Sequence, residues 1–317
     1  MRSLPRNLQR FTAAAPACLP THFHRKSGAL LAAITCGLLF STFAAADEDD
    51  TPHAVFVLGT LHYSPELTMP VFAKELERFG FRTTLVKGEG NPEKKTENVL
   101  PNLSALKDAD VAIFFSRFLR LPDAEWQMIE DYLKSGKPVL GLRTANHSFR
   151  YAKDHPRYDW NVDFGRRALG SPYIVHQAGT TAIKVVAENR DHPIMTHVAK
   201  TEWVSPGTLY LARMEKGCVP LVEGTGKGKA RFLKRQFGER QVNQIETDPV
   251  AWAWTNEWGG KAFYTSFGHP GDFAEASFNR ILLNAICWSV DHPLPAKDAK
   301  ITTWEIERVD KKKKAKK

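Results

Sequence analysis

The run Gly259-Gly-Lys-Ala-Phe-Tyr-Thr-Ser-Phe-Gly-His-Pro-Gly-Asp-Phe273, continued to Trp288, holds a strand, a break and a helix in immediate succession. Residues 262–267 are β-branched and aromatic and follow a Gly-Gly turn, which predicts a strand. Gly268-His269-Pro270-Gly271 ends it. Phe278, Ile281, Leu282, Ala285 and Ile286 then recur at i, i+3, i+4, i+7 and i+8, the apolar stripe of one helix. Such a succession places the imidazole of His269 at the carboxyl edge of a sheet, where open α/β folds hold ligands. The plainer alternative is a histidine in a surface turn.

Upstream, residues 53–59 form a near-continuous apolar run, the pattern of a strand buried on both faces. Residues 60–64 leave it, and Thr68 with Pro70 marks a helix start whose Phe72, Leu76 and Phe79 face ends at Gly80. Residues 81–86 predict a second strand, 87–97 a polar loop and 98–107 a short helix. Residues 110–116 predict a third strand. Pro122-Asp123 starts a helix with Trp126, Ile129 and Leu133 on one face, and 137–142 predict a fourth strand. This alternation calls for parallel pairing with right-handed crossovers, hence an α/β fold built on a doubly wound, mostly parallel sheet with helices on both faces. Short strands are expected at 174–176, 183–187, 209–212, 219–222 and 250–254. A hairpin loop over 254–260 leads into the closing strand, and 300–308 predict a peripheral one. There is no internal repeat.

The formal charge of +9 is misleading about the folded part. Arg2, Arg6, Arg10, Arg25 and Lys26 precede an apolar run over 28–43, too short for a comfortable membrane span, and an Ala44-Ala45-Ala46 site. A basic start, an apolar core and A-x-A predict a signal peptide over 1–46 and a secreted or periplasmic protein. Ala33-Ile34-Thr35 before Cys36 makes a poor lipobox. An acidic linker covers 47–52, one domain 53–295, and a C-terminal strand with a Lys-rich tail 296–317. Without the five leader cations and the six lysines from Lys311 to Lys317 the remainder is close to neutral. Nucleic acid is therefore not an expected partner. The tail reads as a solvated end with weak contact to an anionic surface as its alternative role. Cys18 and Cys36 fall in the leader. Cys218 and Cys287 are free to pair but not required to, and Cys287 reads as a buried thiol. The oligomeric state is left open.

Four strands end in polar residues that would meet at one edge: His62, Arg117, Arg143-Thr144 and His269. Gly141-Leu142-Arg143-Thr144-Ala145 has the form of a nucleophile elbow with an arginine at its centre. A guanidinium cannot attack a carbonyl, but it can hold an anion or an oxygen on which charge develops. Thr144 is a nucleophile only with a base in reach, which would make the chain a peptidase or amidase. His147, His176, His192 and His197 add imidazoles, yet no metal-binding spacing appears. A metal would need His62, His269 and His147 or His176 together, and the reading here is no metal. Residues 224–229, Gly-Thr-Gly-Lys-Gly-Lys, lack the ending of a phosphate loop and read as a flexible turn. No G-x-G-x-x-G follows the first strand, so no nicotinamide cofactor is expected.

With these residues the chain resembles the ThuA-like (trehalose-utilisation) family of the class I glutamine amidotransferase-like superfamily. The resemblance rests on residues 55–62, 110–116, 136–145 and 263–288, with Asp191-His-Pro-Ile194 in addition. It implies a flavodoxin-like sheet and a carbohydrate ligand. The amidotransferase cysteine would sit where Arg143 stands, its histidine matches His269, and its acid would fall on Gly271, with Asp272 only a loose substitute. Glutaminase activity is therefore not expected. Two functions remain. One is an enzyme acting on a disaccharide or keto-sugar, with His269 as general acid or base beside Asp272, and Arg143 stabilising negative charge. His62, Glu66, Arg117, Thr144, His147 and His176 would line the substrate site, with the aromatics over 151–160 forming a lid. The other is a sugar-binding module without catalysis.

Overall fold

A computed structural model describes residues 50–90, 98–235 and 238–306. The expected leader with Cys18 and Cys36, the first half of the expected acidic linker (47–49) and the Lys-rich tail lie outside the described residues. β1 (His53–Gly59), β2 (Arg82–Lys87), β3 (Val111–Ser116) and β4 (Val139–Leu142) alternate with α1 (Pro65–Glu77), a 3₁₀ turn over Leu103–Lys107 and α2 (Asp123–Lys134). A 3₁₀ turn (Arg143–His147) and the short α3 (Trp160–Asp163) follow β4. Next come β5 (Val175–His176), β6 (Thr181–Val185), β7 (Glu202–Ser205) and β8 (Tyr210–Leu211). β9 (Val219–Lys227), β10 (Arg231–Arg235), β11 (Gly238–Val242), β12 (Ile245–Thr255), β13 (Lys261–Thr265) and α4 (Ala276–Ser289) complete the order.

The central sheet has nine strands in the order β2-β1-β3-β4-β13-β12-β9-β6-β7. The first five are parallel, as the alternation predicted, and the β12–β13 hairpin is antiparallel. The antiparallel part extends further than one hairpin, through β9, β6 and β7. Alternate residues of β1 explain its continuous apolar run. Ala54, Phe56 and Leu58 pack with Phe72, Leu76, Phe278 and Ile281, while Val55 and Val57 face Trp126, Ile129 and Leu133. The helices thus cover both faces. Among the described residues no helix is long and apolar enough to cross a membrane.

Several local expectations change. α1 begins at Pro65 rather than near Pro70, because proline fits the first helical position, where its missing N–H has no partner to lose. Residues 224–227 are not a turn but the end of β9. Glycine is needed there because a Cβ on Gly224 would lie 2.6 Å from Thr181 and 2.8 Å from Val250. Residues 301–306 form no strand. They are a strap whose Thr302 hydroxyl donates to the buried Glu75 carboxylate at 2.7 Å, and whose Trp304 ring stacks on Phe273 at 5.0 Å. The Thr302 backbone is met by the side chains of Glu75 and Asn279, and the Trp304 backbone N–H by the Phe273 carbonyl, instead of a sheet edge. β7, β10 and β11 carried no legible pattern. Cys218 and Cys287 are both free thiols, the latter buried in α4.

Candidate functional site

The exits of β1, β3, β4 and β13 lie together at the carboxyl edge of the parallel strands, as neighbouring strands in one sheet require. At the end of β4 the chain turns sharply at Arg143, with φ +52°. This left-handed backbone is costly for a residue with a Cβ. Its carbonyl is held by the Tyr264 hydroxyl at 2.6 Å.

The guanidinium points inward and is only 1% exposed. Nη1 donates to the carbonyls of Thr208 (3.1 Å) and Ser266 (2.6 Å), and Nη2 to the hydroxyls of Tyr63 (3.0 Å) and Thr208 (2.8 Å). Tyr63 and Tyr210 place their rings 4.4 and 4.5 Å from its central carbon. All four Nη hydrogens therefore meet protein acceptors, while Nε is buried with no hydrogen-bond partner. Burial disfavours the charge, but Tyr210, Tyr63 and then the Asp272 carboxylate outweigh it and hold Arg143 protonated. Gly207 makes room, since a Cβ there would come within 2.8 Å of Nη1.

β13 is followed by the turn carrying His269. The ring accepts the Gly271 amide on Nδ1 at 3.1 Å, so the proton of the neutral ring belongs on Nε2. Asp272 is not the partner of that ring. Its Oδ2 accepts the amides of Gly268 (2.8 Å) and His269 (2.9 Å), and its Oδ1 accepts the Ser205 hydroxyl at 2.5 Å. Asp272 thus builds the turn that aims the imidazole. Burial raises its carboxyl above the ordinary range, opposed by Ser205, Arg143 and the two amides.

Ring contacts join these exits into one network. His269 meets Tyr63 edge-on at 5.9 Å, and Tyr63 meets His62 at 4.3 Å. His147, in the 3₁₀ turn after Arg143, contacts Phe118 (5.6 Å), Tyr173 (4.3 Å) and Tyr210 (5.9 Å). The Arg117 guanidinium lies 4.1 Å over Phe118. The Tyr173 hydroxyl and His176 Nδ1 are 2.6 Å apart. Burial first, then Arg117, His62, Arg143 and His176, keep His147 well below the ordinary histidine range, so it is neutral. His176 is lowered by burial, Arg143, Arg231 and Arg117 in that order.

The structure thus brings His62, Arg117, Arg143, His147, His176 and His269 into one neighbourhood. Glu66 stands in the first turn of α1, directly after the β1 exit. Thr144 faces the interior, its hydroxyl buried without any hydrogen-bond partner and hence without a base. The aromatics over 151–160 form no lid here. Tyr151 and Trp160 pack on Trp126 of α2, because a ring that completes a helix-covering core removes more apolar surface from water than one at an open rim. Tyr63, Tyr173 and Tyr210 are the rings that serve the site. β8, which carries Tyr210, is two residues long, too short for any sequence periodicity to announce. Among the described residues no group of three His, Cys, Asp or Glu side chains could hold a metal ion.

Solved structures share this architecture. A putative ThuA-like protein from Bacteroides uniformis has a TM-score of 0.50 at 19% identity, with 78% of this chain and 95% of that one covered. Another from Parabacteroides merdae has a TM-score of 0.52 at 14% identity, over 81% of this chain and 98% of that one. At such identities the likeness is one of fold. No curated protein matches the chain. The sequence model for ThuA, described as trehalose utilisation, matches residues 55–289, and with that extent and this fold the chain belongs to the ThuA family.

Proposed function

We propose that the protein is an exported carbohydrate-processing protein acting on a disaccharide or keto-sugar at the carboxyl edge of the sheet. His269 Nε2 is its acid or base. The observation that carries the reading is the ring and guanidinium network linking His269, Tyr63, Arg143, Tyr210 and His147 across three strand exits. Flat aromatic faces suit sugar rings, and neutral imidazoles suit hydroxyl groups as donors or acceptors. No thiol stands at the β4 turn, and Cys218 and Cys287 lie in β-sheet-flanking and helical positions elsewhere. Glutaminase chemistry therefore has no nucleophile here. Arg143, its Nη hydrogens already taken, acts as a positioning residue that fixes Tyr63 beside His269, and its buried positive charge favours developing negative charge nearby.

The test is turnover of a panel of disaccharides and keto-glycosides by wild type and His269→Ala. Loss of about 10²–10⁴-fold in the variant is expected for a general acid or base. Absence of turnover by both proteins would remove the enzyme reading. A binding module is the second reading, favoured by the closed elbow, in which the Thr144 hydroxyl has no base. Sugar binding by calorimetry with no product and no effect of His269→Ala would establish it. Export is tested separately by sequencing the amino terminus of the protein recovered outside the cytoplasm, expected at Asp47.

A further inference from the structure

A cavity of about 540 Å³ shares no lining residue with the network around His269. One of its walls is α3 with the π-helical turn that follows, Phe164–Ala168, and the other is the segment 213–215 after β8. Its size falls within the roughly 300–1,000 Å³ that small-molecule sites occupy. Pro172 belongs to the lining, and the backbone around it ties the two walls together. The Ser171 amide donates to the Gly165 carbonyl at 2.8 Å, the Arg213 amide to the Ser171 hydroxyl at 2.9 Å, and the Glu215 amide to the Gly170 carbonyl at 2.7 Å. A Cβ on Gly165 would lie 2.5 Å from the Asn146 carbonyl oxygen and 2.8 Å from that of Ser171, so only glycine lets the π turn pack this closely. The walls are thus fixed relative to each other before any ligand arrives. π-Helical turns are rare and frequent at functional sites, and this one contributes Arg166 to the cavity.

The carboxylates of Asp159, Asp163 and Glu215 share this lining with the guanidinium groups of Arg166 and Arg213. Asp163 Oδ1 is held by Arg166 Nε at 3.0 Å and Nη2 at 2.9 Å, and Oδ2 lies 3.9 Å from Arg167. Charges of both signs are interleaved, so an anion would meet three carboxylates and a cation two guanidinium groups. The lining favours neither. What it offers is hydrogen bonding in both directions, since carboxylate oxygens accept several bonds and a guanidinium carries five N–H donors. An ion pair uses only part of either capacity. Val162, Pro172 and Met214 add apolar surface. A ligand entering a polar cavity must reproduce the hydrogen bonds of the water it displaces. A ring bearing several hydroxyls does so as donor and acceptor at once, with its C–H face left for the apolar side chains.

We propose that this cavity is a second binding site, for a neutral, hydroxyl-rich ligand of the saccharide or polyol class. It goes beyond the reading above, which concerns the carboxyl edge of the sheet. The two places meet on one stretch of chain. Pro172 lines the cavity, and Tyr173, the next residue, packs on His147 at 4.3 Å. The protein thereby has a place to hold a saccharide that uses none of the side chains around His269.

The experiment uses the methionine methyl groups as reporters. Met214 lines the cavity, whereas Met69 and Met195 are buried in the core elsewhere. The full chain, carrying ¹³C at its methionine methyls, is titrated with glucose, trehalose, glutamate and inorganic phosphate and followed by NMR. Glucose or trehalose should shift the Met214 resonance saturably and leave Met69 and Met195 in place. Val162→Trp, which fills the cavity, should abolish the sugar-dependent shift. Glu215→Gln, close to isosteric, should weaken it about five- to tenfold, as expected when a charged hydrogen-bond partner becomes neutral. His269→Ala should leave it unchanged. Circular dichroism verifies folding, and if Val162→Trp does not fold, Glu215→Gln decides alone. No saturable response to either sugar, a response undiminished in the cavity variants, or saturation by glutamate or phosphate in place of the sugars would overturn the proposal. The two readings fail separately. Sugar turnover that depends on His269 while Met214 stays silent defeats only this inference. Saturable binding at Met214 without turnover of any sugar supports the second site and defeats only the enzyme reading.

Discussion

Arg143 occupies left-handed backbone and a dry interior at once, and each carries a free-energy cost. It is tolerated because every Nη hydrogen has an acceptor and because residue 207 has no side chain. Gly207→Ala should therefore cost about 1–3 kcal/mol, since the added methyl meets a guanidinium anchored on two carbonyls and unable to retreat. Urea denaturation with an unchanged slope measures it. Wild-type stability would mean that the guanidinium is not held as described. That residue 143 is special was legible in the small-x-Arg-x-small pattern. That its charge faces Tyr63 and Tyr210 rather than the cleft was not, because both rings come from distant segments.

At the level of elements, the parallel half of the sheet was legible and much of the antiparallel half was not. β1 and β3 are buried on both faces, so their apolar runs are continuous and announce themselves. β9 is interrupted by Gly224 and Gly226, whose lack of a side chain reads as a turn but here admits Leu209, Thr181 and Val250. Gly224→Ala discriminates the two cases. A strand glycine under these contacts should lose about 1–3 kcal/mol when a methyl is added, whereas a flexible turn would tolerate it within a few tenths. A thermal denaturation curve that matches wild type would argue against the close packing of β9 on β6 and β12. The α4 helix shows the opposite case. Its apolar stripe was plain, yet the burial of Asn279, Arg280 and Asn284 was not, because their N–H groups donate to carbonyls of other segments, at Thr302, Pro295 and Ile194.

For the molecule as a whole, buried imidazoles set the response to acid. His53, His147, His176 and His192 all have folded-state proton affinities below the ordinary value, chiefly through burial. The unfolded chain then binds more protons, so stability rises with pH. Their contribution is complete above about pH 6.5 and is lost as the pH falls below it. Asp272 acts in the opposite sense. Its raised carboxyl penalises the fold once ionised, and that penalty is relieved as the pH falls toward the ordinary carboxylate range. The histidines of the unfolded chain take up protons as the pH falls through about 6.5, while those of the fold resist. Stability measured by urea between pH 7 and pH 5 should therefore fall, each fully neutral histidine contributing a slope of at most about 1.4 kcal/mol per pH unit. His147→Phe, which keeps a ring against Tyr173, should flatten that dependence. An unchanged slope in the variant would show that His147 is not the neutral, enclosed group described here.

The sequence by itself determined the parallel scaffold, the order of its helices and the set of polar tips at its carboxyl edge. Those features depend on local periodicity and on strand-to-helix alternation, which neighbouring residues encode. Only the tertiary structure decided which way Arg143 points, that Asp272 serves backbone amides and Ser205 and not the His269 ring, and that Tyr173 and Tyr210 pack against His147. Each of these is a choice among partners far apart in the chain, and hydrogen-bond geometry and burial make that choice only when the segments are packed together.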